Sequence, residues 1–352
     1  MKKAKIIGAG GYGGVGITEL LLGHPEVELA CLVAKNDVGM PMSELYPHLA
    51  GYCDLPILEP ADPAADMEVD VTFFATPDRV AMQGAQAELD RGAKVIDFSG
   101  DFRFDSAHEY AGYASRIDLE TEHLAPKLLA DACYGLPEVR RTDLTSKTPI
   151  VGNAGCFAVS CILGLAPAAK YKLIQLKSII CDCKSAVSGA GKKPSAGFHY
   201  PSRYDQMNAY RLGGHQHVFE VEQALTELAG SDAVITFTPH VVPMARGILS
   251  TLYADLADGV TTSKVMDAYN VFHKDNQFVR MYDRSTPMGT MQVRGSNYCN
   301  LTVDVDERSN RLRVVSHIDN LMKGQAGNAL QNMNLLFGFP EKMGLDRPGQ
   351  CP

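Results

Sequence analysis

The chain has 352 residues, which is longer than one compact domain usually is and favours two domains. Hydrophobic residues make up 45% and charged residues 21% of the sequence, proportions that are ordinary for a globular protein. The net charge of −8 argues against nucleic acid as the main partner, and no apolar stretch is long enough to predict a membrane span.

The first predicted elements are a strand, a glycine-rich turn and a helix. Lys3–Ile7 reads as a short buried strand, GAGGYGGVG follows it, and the apolar segment ITELLLGHPEV predicts a helix. The two lysines near the N-terminus briefly resemble a signal peptide, but glycines interrupt the apolar run, which favours the strand. A second strand is predicted at Val27–Ala34, so the chain begins with a β–loop–α–β unit.

The same alternation continues to about residue 150. Met67–Thr76 and Ala93–Gly100 read as buried strands, and VAMQGAQAELDRG between them predicts a helix that ends at Gly92. Strands that alternate with helices predict a parallel sheet with helices on its faces. We therefore expect an α/β fold in which residues 1–150 form a Rossmann-type doubly wound domain.

The pattern changes after residue 150, where longer strands with few helices between them are predicted. The predicted strands are LIQLKSIICDCKS, AVITFTPHVV, GILSTLYADL, SNYCNLTVDVDE and RLRVVSHID, and the predicted helices are CFAVSCILGLAPAAKY, HVFEVEQALTELAG and TTSKVMDAYNVFHKD. They indicate a mostly antiparallel α+β domain over residues 151–324, which we assign to catalysis and oligomerisation. Its long strands favour a homo-oligomer, a dimer or a tetramer. The last helical segment, GQAGNALQNMNLLFG, is expected to return to the first domain with residues 325–352.

The glycine-rich turn has the pattern of a dinucleotide-binding loop. Glycines allow a tight turn and let backbone N–H groups approach a pyrophosphate at a helix N-terminus. The position of this turn between a strand and a helix therefore predicts a dinucleotide site. The GxGxxG pattern fits in two registers, Gly8, Gly10 and Gly13 or Gly11, Gly13 and Gly16.

The residues after the second strand bear on the choice between NAD and NADP. An NAD-binding strand ordinarily ends in an acidic residue that binds the ribose hydroxyls, whereas here Ala34 is followed by Lys35 and Asn36. The Lys35 ammonium would pair with the 2′-phosphate of NADP, so we expect NADP as the cofactor. Asp37 follows directly and keeps NAD as the alternative.

Two of the nine cysteines lie in GNAGCFAVSC, residues 152–161. Cys156 follows a glycine turn at the start of a predicted helix, where the helix dipole and unpaired N–H groups stabilise a thiolate. The Asn153 amide and nearby N–H groups could bind an oxyanion. Cys161 stands among isoleucine and leucine and is expected in the core. The spacing alone leaves Cys156 either a nucleophile or a small buried side chain.

A thiol nucleophile requires a base, and GGHQHVFEVEQAL offers His215 and His217 ahead of a predicted helix. A metal site at this His-x-His is less favoured, because no third ligand stands nearby in the sequence. Cationic side chains in turns predict a site for an anionic substrate group. These side chains are Arg103, Lys192, Lys193 and Arg246.

The remaining cysteines show no metal-binding or disulfide pattern. There is no CxxC, and Cys181 and Cys183 share one face of a predicted strand, so we expect no metal site there. Nine cysteines without a dense framework predict free thiols in a reducing compartment, which favours the cytoplasm.

Many of these stretches coincide with the motifs of one family. The chain resembles, from end to end, the N-acetyl-γ-glutamyl-phosphate reductases of arginine biosynthesis, which are relatives of aspartate-semialdehyde dehydrogenase. The resemblance implies an enzyme that reduces a small acyl phosphate with NADPH through a cysteine thioester. The motifs are GAGGYGGVGITELLLGHPEVEL, SELYPHLAG, VTFFATP, IDFSGDFRF, YGLPE, GNAGCFAVSCILGLAP, AVSGAGKK, HQHVFEVEQAL, PMARGILST, GSNYCNL and GQAGNALQNMNLLFGF.

The resemblance also implies roles for individual residues. Cys156 would be the nucleophile and His217 the general acid/base, with His215 as the less favoured alternative. Asn332 would approach the nicotinamide. The residues assigned to substrate binding are Arg103, Asn153, Ser188, His215 and Arg246. The residues assigned to cofactor binding are Gly8, Gly10, Gly11, Tyr12, Gly13, Gly14, Lys35, Thr76, Ser99, Gly189 and Asn332.

Departures from the family pattern leave the acyl group of the substrate open. Ala154 and Phe219 stand where proline is usual, and Val159 stands where threonine is usual. An N-succinyl substrate or the longer aminoadipyl phosphate would undergo the same chemistry. Aspartate-semialdehyde dehydrogenase activity and a non-catalytic NADP-binding regulator are the further alternatives.

Overall fold

The computed structural model describes residues 1–350, which divide into two compact units. The predicted boundaries after residues 150 and 324 lie within a few residues of the limits of these units. No sequence feature predicts that the short segment 112–119 groups with the second unit. The first unit consists of Met1–Ala111, Glu120–Ala154 and Gln325–Asp346, and the second, within the described residues, of Gly112–Leu119, Gly155–Gly324 and residues 347–350.

A parallel sheet forms the centre of the first unit. Within the described chain its strands are β1 (Lys2–Ile7), β2 (Val27–Val33), β3 (Ile57–Leu58), β4 (Val71–Phe74), β5 (Lys94–Asp97), β6 (Ala132–Gly135) and β7 (Ile150–Asn153). Their order is β3-β2-β1-β4-β5-β7-β6, and each pairing between them is parallel. β4 and β7 are buried along their whole length, as strands covered by helices on both faces are. The predicted Rossmann-type sheet is confirmed.

The helices before residue 150 connect these strands. They are α1 (Tyr12–Leu22), α2 (Met42–Leu45), α3 (Ala81–Asp90), α4 (Ala107–Arg116), α5 (Pro126–Ala130) and α6 (Pro137–Arg140). α1 joins β1 to β2 and α3 joins β4 to β5, as the alternating pattern predicts. β4 and β5 are shorter than the predicted strands, because the chain leaves the sheet after Phe74 and Asp97 to form turns at its carboxyl edge.

A mixed sheet forms the centre of the second unit. Within the described chain its strands are β8 (Ile179–Ala186), β9 (Asn208–Ala209), β10 (Ile235–Val242), β11 (Ile248–Asp255), β12 (Val279–Tyr282), β13 (Cys299–Asp306) and β14 (Arg311–Ile318). Their order is β12-β13-β14-β11-β8-β10-β9. The pairings β8–β10 and β12–β13 are parallel, and the other pairings between these strands are antiparallel, as predicted.

One buried helix crosses this sheet. α7 packs against α9, β11 and β14. It has apolar residues on every side, as expected for a helix that is buried on all its faces. No helix within residues 1–350 combines the length and apolarity that a bilayer crossing requires. The helices after residue 155 are α7 (Cys156–Lys170), α8 (Tyr200–Arg203), α9 (His217–Ala229), α10 (Thr262–His273) and α11 (Gly327–Leu336), and α11 belongs to the first unit.

Candidate active site

The glycine-rich turn of the first unit connects β1 to α1 at the carboxyl edge of the sheet. Gly8 has φ +91°, and a Cβ there would lie 2.3 Å from the carbonyl oxygen of Ala75 after β4. A Cβ on Gly14 would lie 2.4 Å from the carbonyl oxygen of Ala9. Both positions therefore require glycine. The strand order reverses between β1 and β4, and the crevice at such a switch point is where doubly wound sheets bind nucleotides.

Two buried polar atoms beside this turn have no hydrogen-bond partner within residues 1–350. They are the Thr76 hydroxyl oxygen and the Gln325 side-chain oxygen. A Cβ on Gly8 would lie 3.1 Å from the Thr76 methyl group, and one on Gly13 would lie 3.1 Å from the Gln325 amide nitrogen. Buried polar groups normally have partners, so these atoms fit contacts with a bound dinucleotide. Thr76 belongs to the predicted set, and Gln325 does not.

The residues after β2 lie beside the same turn. Lys35 and Asp37 are exposed, and a Cβ on Gly10 would lie 3.3 Å from an Asp37 carboxylate oxygen. The Tyr46 hydroxyl donates to the carbonyl oxygen of Gly10 at 2.9 Å. Burial, together with Tyr12 and Asp37, raises the pKa of Tyr46 to about 12, so the hydroxyl keeps its proton. The hydrogen bond from Tyr46 thus fixes the position of the glycine-rich turn. Tyr46 is absent from the residues predicted to bind the cofactor.

Ser99 and Arg103, which follow β5, form hydrogen bonds with other residues of the first unit. The Ser99 hydroxyl donates to both carboxylate oxygens of Asp97, at 2.9 and 2.8 Å. Arg103 donates to the carbonyl oxygens of Asn153 and Phe98, and only 6% of it is exposed. Burial, followed by the nearby carboxylate of Asp101, raises the pKa of Asp97 to about 8. The cofactor contact of Ser99 and the substrate contact of Arg103 stay predictions.

Asn153 and Asn332 belong to one buried amide network in the first unit. The Asn153 side-chain oxygen accepts hydrogen bonds from the amides of Asn328 and Asn332, at 2.8 and 3.1 Å. Its own amide donates to the carbonyl oxygen of Gln325 at 3.1 Å. Because Asn153 is only 1% exposed, an oxyanion would reach it only if this network opened. The Asn332 side-chain oxygen has no partner within the described chain, and its predicted nicotinamide contact stays a prediction.

Cys156 is the first residue of α7 and lies in the second unit. Gly155 caps this helix without any side-chain hydrogen bond, and Cys156 is half-buried. The chain returns to the same place at Gly324, where a Cβ would lie 2.8 Å from the Cβ of Cys156. The predicted helix start at Cys156 is confirmed, and its uncapped first turn leaves N–H groups that stabilise a negative charge.

Cys156 lines a cavity of about 520 Å³ in the second unit. The cavity brings together predicted site residues that lie up to 61 positions apart in the chain. His215, His217 and Gly189 are among its walls, whereas Ser188 and Arg246 are not. The residues that line it are Cys156, Phe157, Ser185, Ala186, Gly189, Ala190, Lys193, Pro194, Ser195, Phe198, Tyr210, Arg211, His215, Gln216, His217 and Val241.

His217 packs directly against the turn that precedes Cys156. A Cβ on Gly155 would lie 2.3 Å from Nε2 of His217, so only glycine fits there. Glu220, one helical turn further along α9, accepts a hydrogen bond from the Gly155 N–H at 2.9 Å. Its other carboxylate oxygen lies 3.8 Å from Nε2 of His217. Glu220 is absent from the predicted set, although its i+3 spacing from His217 places both on one helix face.

His215 differs from His217 in its surroundings. Burial, together with the charges of His217 and Arg211, lowers the pKa of His215 to about 2, so its imidazole is neutral. Its Nδ1 accepts a hydrogen bond from the backbone N–H of His217 at 3.2 Å, and its Nε2 lies 3.5 Å from the Tyr210 hydroxyl. His215 therefore supports the start of α9, and Tyr210 and Arg211 join the site without having been predicted.

Ser188 and Arg246 have partners elsewhere in the second unit. The Ser188 hydroxyl accepts a hydrogen bond from the Asn320 amide at 2.9 Å. Arg246 forms an ion pair with the buried carboxylate of Asp319, with an N–O distance of 3.1 Å. The cations that line the Cys156 cavity are instead Lys193 and Arg211, which have no acidic partner within the described chain. The predicted substrate contacts of Ser188 and Arg246 stay predictions.

Cys161 is fully buried, as predicted, and its sulfur lies 3.6 Å from that of Cys183. A hydrogen bond with Cys181, together with burial, raises the pKa of Cys161 well above its usual range. Among residues 1–350, no group of three or more His, Cys, Asp or Glu side chains is arranged to hold a metal ion.

Two family models of semialdehyde dehydrogenases match the chain. Residues 3–147 match the semialdehyde dehydrogenase NAD binding domain, and residues 156–320 match the semialdehyde dehydrogenase dimerisation domain. The two matches therefore cover the sheet of the second unit and that of the first except for β7, which lies between them.

Named relatives align with the chain over its full length. The N-acetyl-gamma-glutamyl-phosphate reductase of Geotalea daltonii is 42% identical over 354 residues and covers 100% of both chains. The protein of the same name from Syntrophobacter fumaroxidans is 42% identical over 351 residues, covering 99% of this chain and 100% of the relative.

Solved structures of similar fold are aspartate semialdehyde dehydrogenases. The enzyme II from Vibrio cholerae has a TM-score of 0.72 and 16% identity, covering 96% of this chain and 98% of that one. The Candida albicans enzyme with NADP has a TM-score of 0.70 and 17% identity, with the same coverage. At such low identity the similarity establishes the shared fold.

Proposed function

The chain belongs to the N-acetyl-gamma-glutamyl-phosphate reductase family, and from this membership we infer its activity. We propose that it reduces N-acetyl-γ-glutamyl phosphate with NADPH to N-acetylglutamate 5-semialdehyde and releases phosphate. The observation that carries this proposal is the 42% identity with relatives of that name over the whole chain. The reaction would belong to arginine biosynthesis.

Covalent catalysis by Cys156 explains how the reaction proceeds. The sulfur attacks the carbonyl carbon of the acyl phosphate, the bond from carbon to the phosphate oxygen breaks, and a thioester on Cys156 remains. When bound, NADPH supplies the hydride that reduces this thioester. The thiohemiacetal then collapses, the carbon–sulfur bond breaks, and the aldehyde leaves with the Cys156 thiolate restored.

The start of α7 supports this role of Cys156. The first N–H groups of a helix have no partners within the helix, and Gly155 supplies no side-chain cap. They can therefore stabilise the thiolate before attack and the oxyanion after it. The hydrogen bond from Gly155 to Glu220 fixes the turn that presents the sulfur, in a chain that has Ala154 in place of the usual proline.

His217 is the general acid/base in this mechanism. It takes the proton of the Cys156 thiol, gives it to the oxyanion that forms on hydride addition, and takes it back as the thiohemiacetal collapses. Its place in the same cavity and its contact with the Glu220 carboxylate support the assignment. His215 is less suited, because its lowered pKa leaves it a weak base.

Residues of the first unit fit a dinucleotide, and they favour NADP. The turn at Gly8 and the unpartnered oxygens of Thr76 and Gln325 would hold the cofactor. Lys35, exposed at the end of β2, would pair with the 2′-phosphate. Replacing Lys35 by alanine should raise the KM for NADPH about tenfold and leave the KM for NADH unchanged, since only the former carries that phosphate. An equal effect on both cofactors would contradict the assignment.

The cationic walls of the Cys156 cavity suit the anionic groups of the substrate. The acyl phosphate ends in a phosphoryl group, and its amino-acid end carries a carboxylate. Lys193 and Arg211 line the cavity and are exposed, and Arg211 donates to the side-chain oxygen of Gln216, so both cations can approach an anionic ligand. We propose these two as anion-binding residues, in addition to the predicted Arg103 and Arg246.

A panel of aldehydes tests the proposed activity. The purified chain is incubated with NADP, phosphate and either N-acetylglutamate semialdehyde, its N-succinyl analogue, N-acetylaminoadipate semialdehyde or aspartate semialdehyde. We expect phosphate-dependent formation of NADPH with the first of these at the highest kcat/KM. A preference for another aldehyde would reassign the substrate, and the absence of NADPH with all four would favour the non-catalytic regulator.

We also propose that the chain forms a homo-oligomer, a dimer or a tetramer, and works in the cytoplasm. The match of residues 156–320 to a dimerisation domain supports the first proposal. The second is supported by the cysteines of the described chain, all of which are free thiols as expected in a reducing compartment. Light scattering on the purified protein measures its mass in solution, and a monomer at every concentration would contradict the oligomer.

A further inference from the structure

The short segment 112–119 packs on the start of α9 within the second unit. It consists of the last residues of α4 and the turn that follows them. A Cβ on Gly112 would lie 3.1 Å from Cε1 of Phe219 on α9. The guanidinium carbon of Arg116 lies 4.7 Å from the centre of the same ring, which is the distance of a cation–π contact. The half-buried Phe219 ring is therefore the side chain on which both contacts meet.

Phe219 and His217 lie on opposite sides of α9. Each residue of a helix is turned by about 100° from the one before it, so Phe219 points away from His217 while Glu220 returns to the side of His217. That side faces the turn at Gly155, whose N–H donates to Glu220 at 2.9 Å. The first turn of α9 is therefore held between the Gly155 turn and the segment 112–119.

Few other contacts fix the start of α9. Its first N–H donates to His215, but the N-cap residue Gln216 makes no side-chain capping bond. Residues 211–213, which precede it, are exposed. A Cβ on Gly214 would lie 3.8 Å from the carbonyl oxygen of Arg116, so the segment 112–119 also touches the chain just before the helix. A helix end with so little capping depends on packing for its position.

The position of α9 governs the position of the His217 imidazole. A Cβ on Gly155 would lie 2.3 Å from Nε2 of His217, so the imidazole and this turn are in close contact. Proton transfer requires groups within hydrogen-bond reach, and a displacement of about 1 Å can slow a reaction about 100-fold. A small movement of α9 away from the turn would therefore impair an acid/base at His217.

We propose that Phe219 is a positioning residue, which Gly112 and Arg116 clamp so that His217 stays against the turn that presents Cys156. The inference rests on the proposed function, in which His217 is the acid/base. It adds a side chain that is not among those lining the Cys156 cavity. The segment 112–119 thereby supports the active site from a part of the chain far from the catalytic motifs.

The first test is Phe219→Ala, which removes the clamped ring. In the oxidation of the preferred aldehyde, kcat should fall about 10- to 30-fold while KM stays within about twofold, because the geometry of proton transfer and not binding is disturbed. Unchanged kcat would overturn the proposal.

A second readout on Phe219→Ala follows His217 without substrate or cofactor. The rate at which iodoacetamide alkylates Cys156 is measured from the mass of the peptide that carries it. At about pH 6.5, where His217 takes the thiol proton, the rate should fall about tenfold, and at about pH 9.5, where a thiol ionises unaided, it should not change. A mere loss of stability would not produce this dependence on pH.

The matched control is Leu225→Val on the same helix. Leu225 is fully buried and has no recorded contact with the segment 112–119. The variant should lower the midpoint of urea unfolding, because it removes a buried methylene group, and leave the alkylation of Cys156 unchanged at both pH values. If Leu225→Val alters the alkylation as Phe219→Ala does, the effect is a general loosening of α9 and the proposal is overturned.

A converse test adds volume to the other side of the clamp. Gly112→Ala places a methyl group against the Phe219 ring and should lower kcat about threefold by displacing it. Phe219→Leu in the same chain shortens the side chain and should restore most of this loss. If the double variant is no faster than Gly112→Ala alone, the two residues do not act through each other and the clamp is overturned.

The two kinds of measurement separate the positioning role from the proposed function. If the unaltered chain oxidises none of the four aldehydes, the proposed function fails, and the alkylation of Cys156 still decides the role of Phe219. If the unaltered chain is active and Phe219→Ala is alkylated like it at both pH values, the positioning role is overturned and the proposed function stands.

Discussion

Cys156 and Cys161 lie on the same helix and differ in almost everything that governs the chemistry of a thiol. Cys156 is half-buried in the uncapped first turn of α7 and faces a cavity with His217. Cys161 is fully buried, with the sulfur of Cys183 at 3.6 Å. Helix dipole and solvent access favour the thiolate at the first position, and burial favours the thiol at the second.

Position along one helix therefore separates a reactive thiol from a packed one. The same contrast holds for the two histidines, because His217 contacts the turn before Cys156 while His215 is neutral and holds a backbone N–H. Each pair therefore contains one proposed catalytic residue and one residue held by buried neighbours, and the predicted substrate contact of His215 stays a prediction. Substitutions of the four residues test this division.

The largest effect is expected for Cys156→Ser. A serine hydroxyl is scarcely ionised at neutral pH, so kcat/KM for phosphate-dependent oxidation of the semialdehyde should fall about ten thousandfold. NADP binding, measured by fluorescence of the reduced cofactor, should not change, and the free energy of unfolding should stay within about 0.5 kcal/mol. Normal turnover by this variant would remove Cys156 from the mechanism.

His217→Asn comes next. Loss of the acid/base should lower kcat about 100- to 1,000-fold with little change in the KM values, since proton transfer and not binding is removed. His215→Asn serves as the control and should lower kcat much less. If the order of the two variants is reversed in a steady-state assay, the base is His215.

Cys161→Ala should affect stability and not catalysis. Removing a fully buried sulfur leaves a small void in the core, which costs about 1–2 kcal/mol of the free energy of unfolding in urea. Activity per folded protein should remain within about twofold. Alkylation by iodoacetamide, carried out with Cys351 replaced by serine, should modify Cys156 rapidly and Cys161 very slowly. A fast reaction at Cys161 would contradict its assignment to the buried core.

The smallest effect concerns His215 and pH. Its pKa is lowered to about 2 in the folded chain, against 6.5 in the unfolded chain, so protons bind preferentially to the unfolded state. Stability should therefore decrease as pH falls below about 6.5, by about 1 kcal/mol at pH 5.5. In His215→Gln this part of the pH dependence should disappear from urea unfolding curves. An unchanged slope would show that His215 is not buried in its neutral form.

Local features of the sequence predict much of the fold. The glycine turn between the first strand and helix, the alternation of strands and helices, and the helix start at Cys156 are all found as predicted. These features depend on residues close together in the chain, where backbone conformation and hydrophobic period decide the element. The Rossmann-type sheet, the glycine loop and the position of the candidate nucleophile therefore follow from the order of residues along the chain.

The division of polar side chains between the site and the core depends on contacts between distant parts of the chain. Glu220 reaches the N–H of Gly155 across 65 positions, although the motif HQHVFEVEQAL assigns it no role. Arg211 lines the cavity and stands outside the quoted motifs. Arg103, by contrast, turns inward to backbone carbonyl oxygens. Long-range packing determines whether a charged side chain meets a buried partner or an open cavity, and residue type alone does not carry that information.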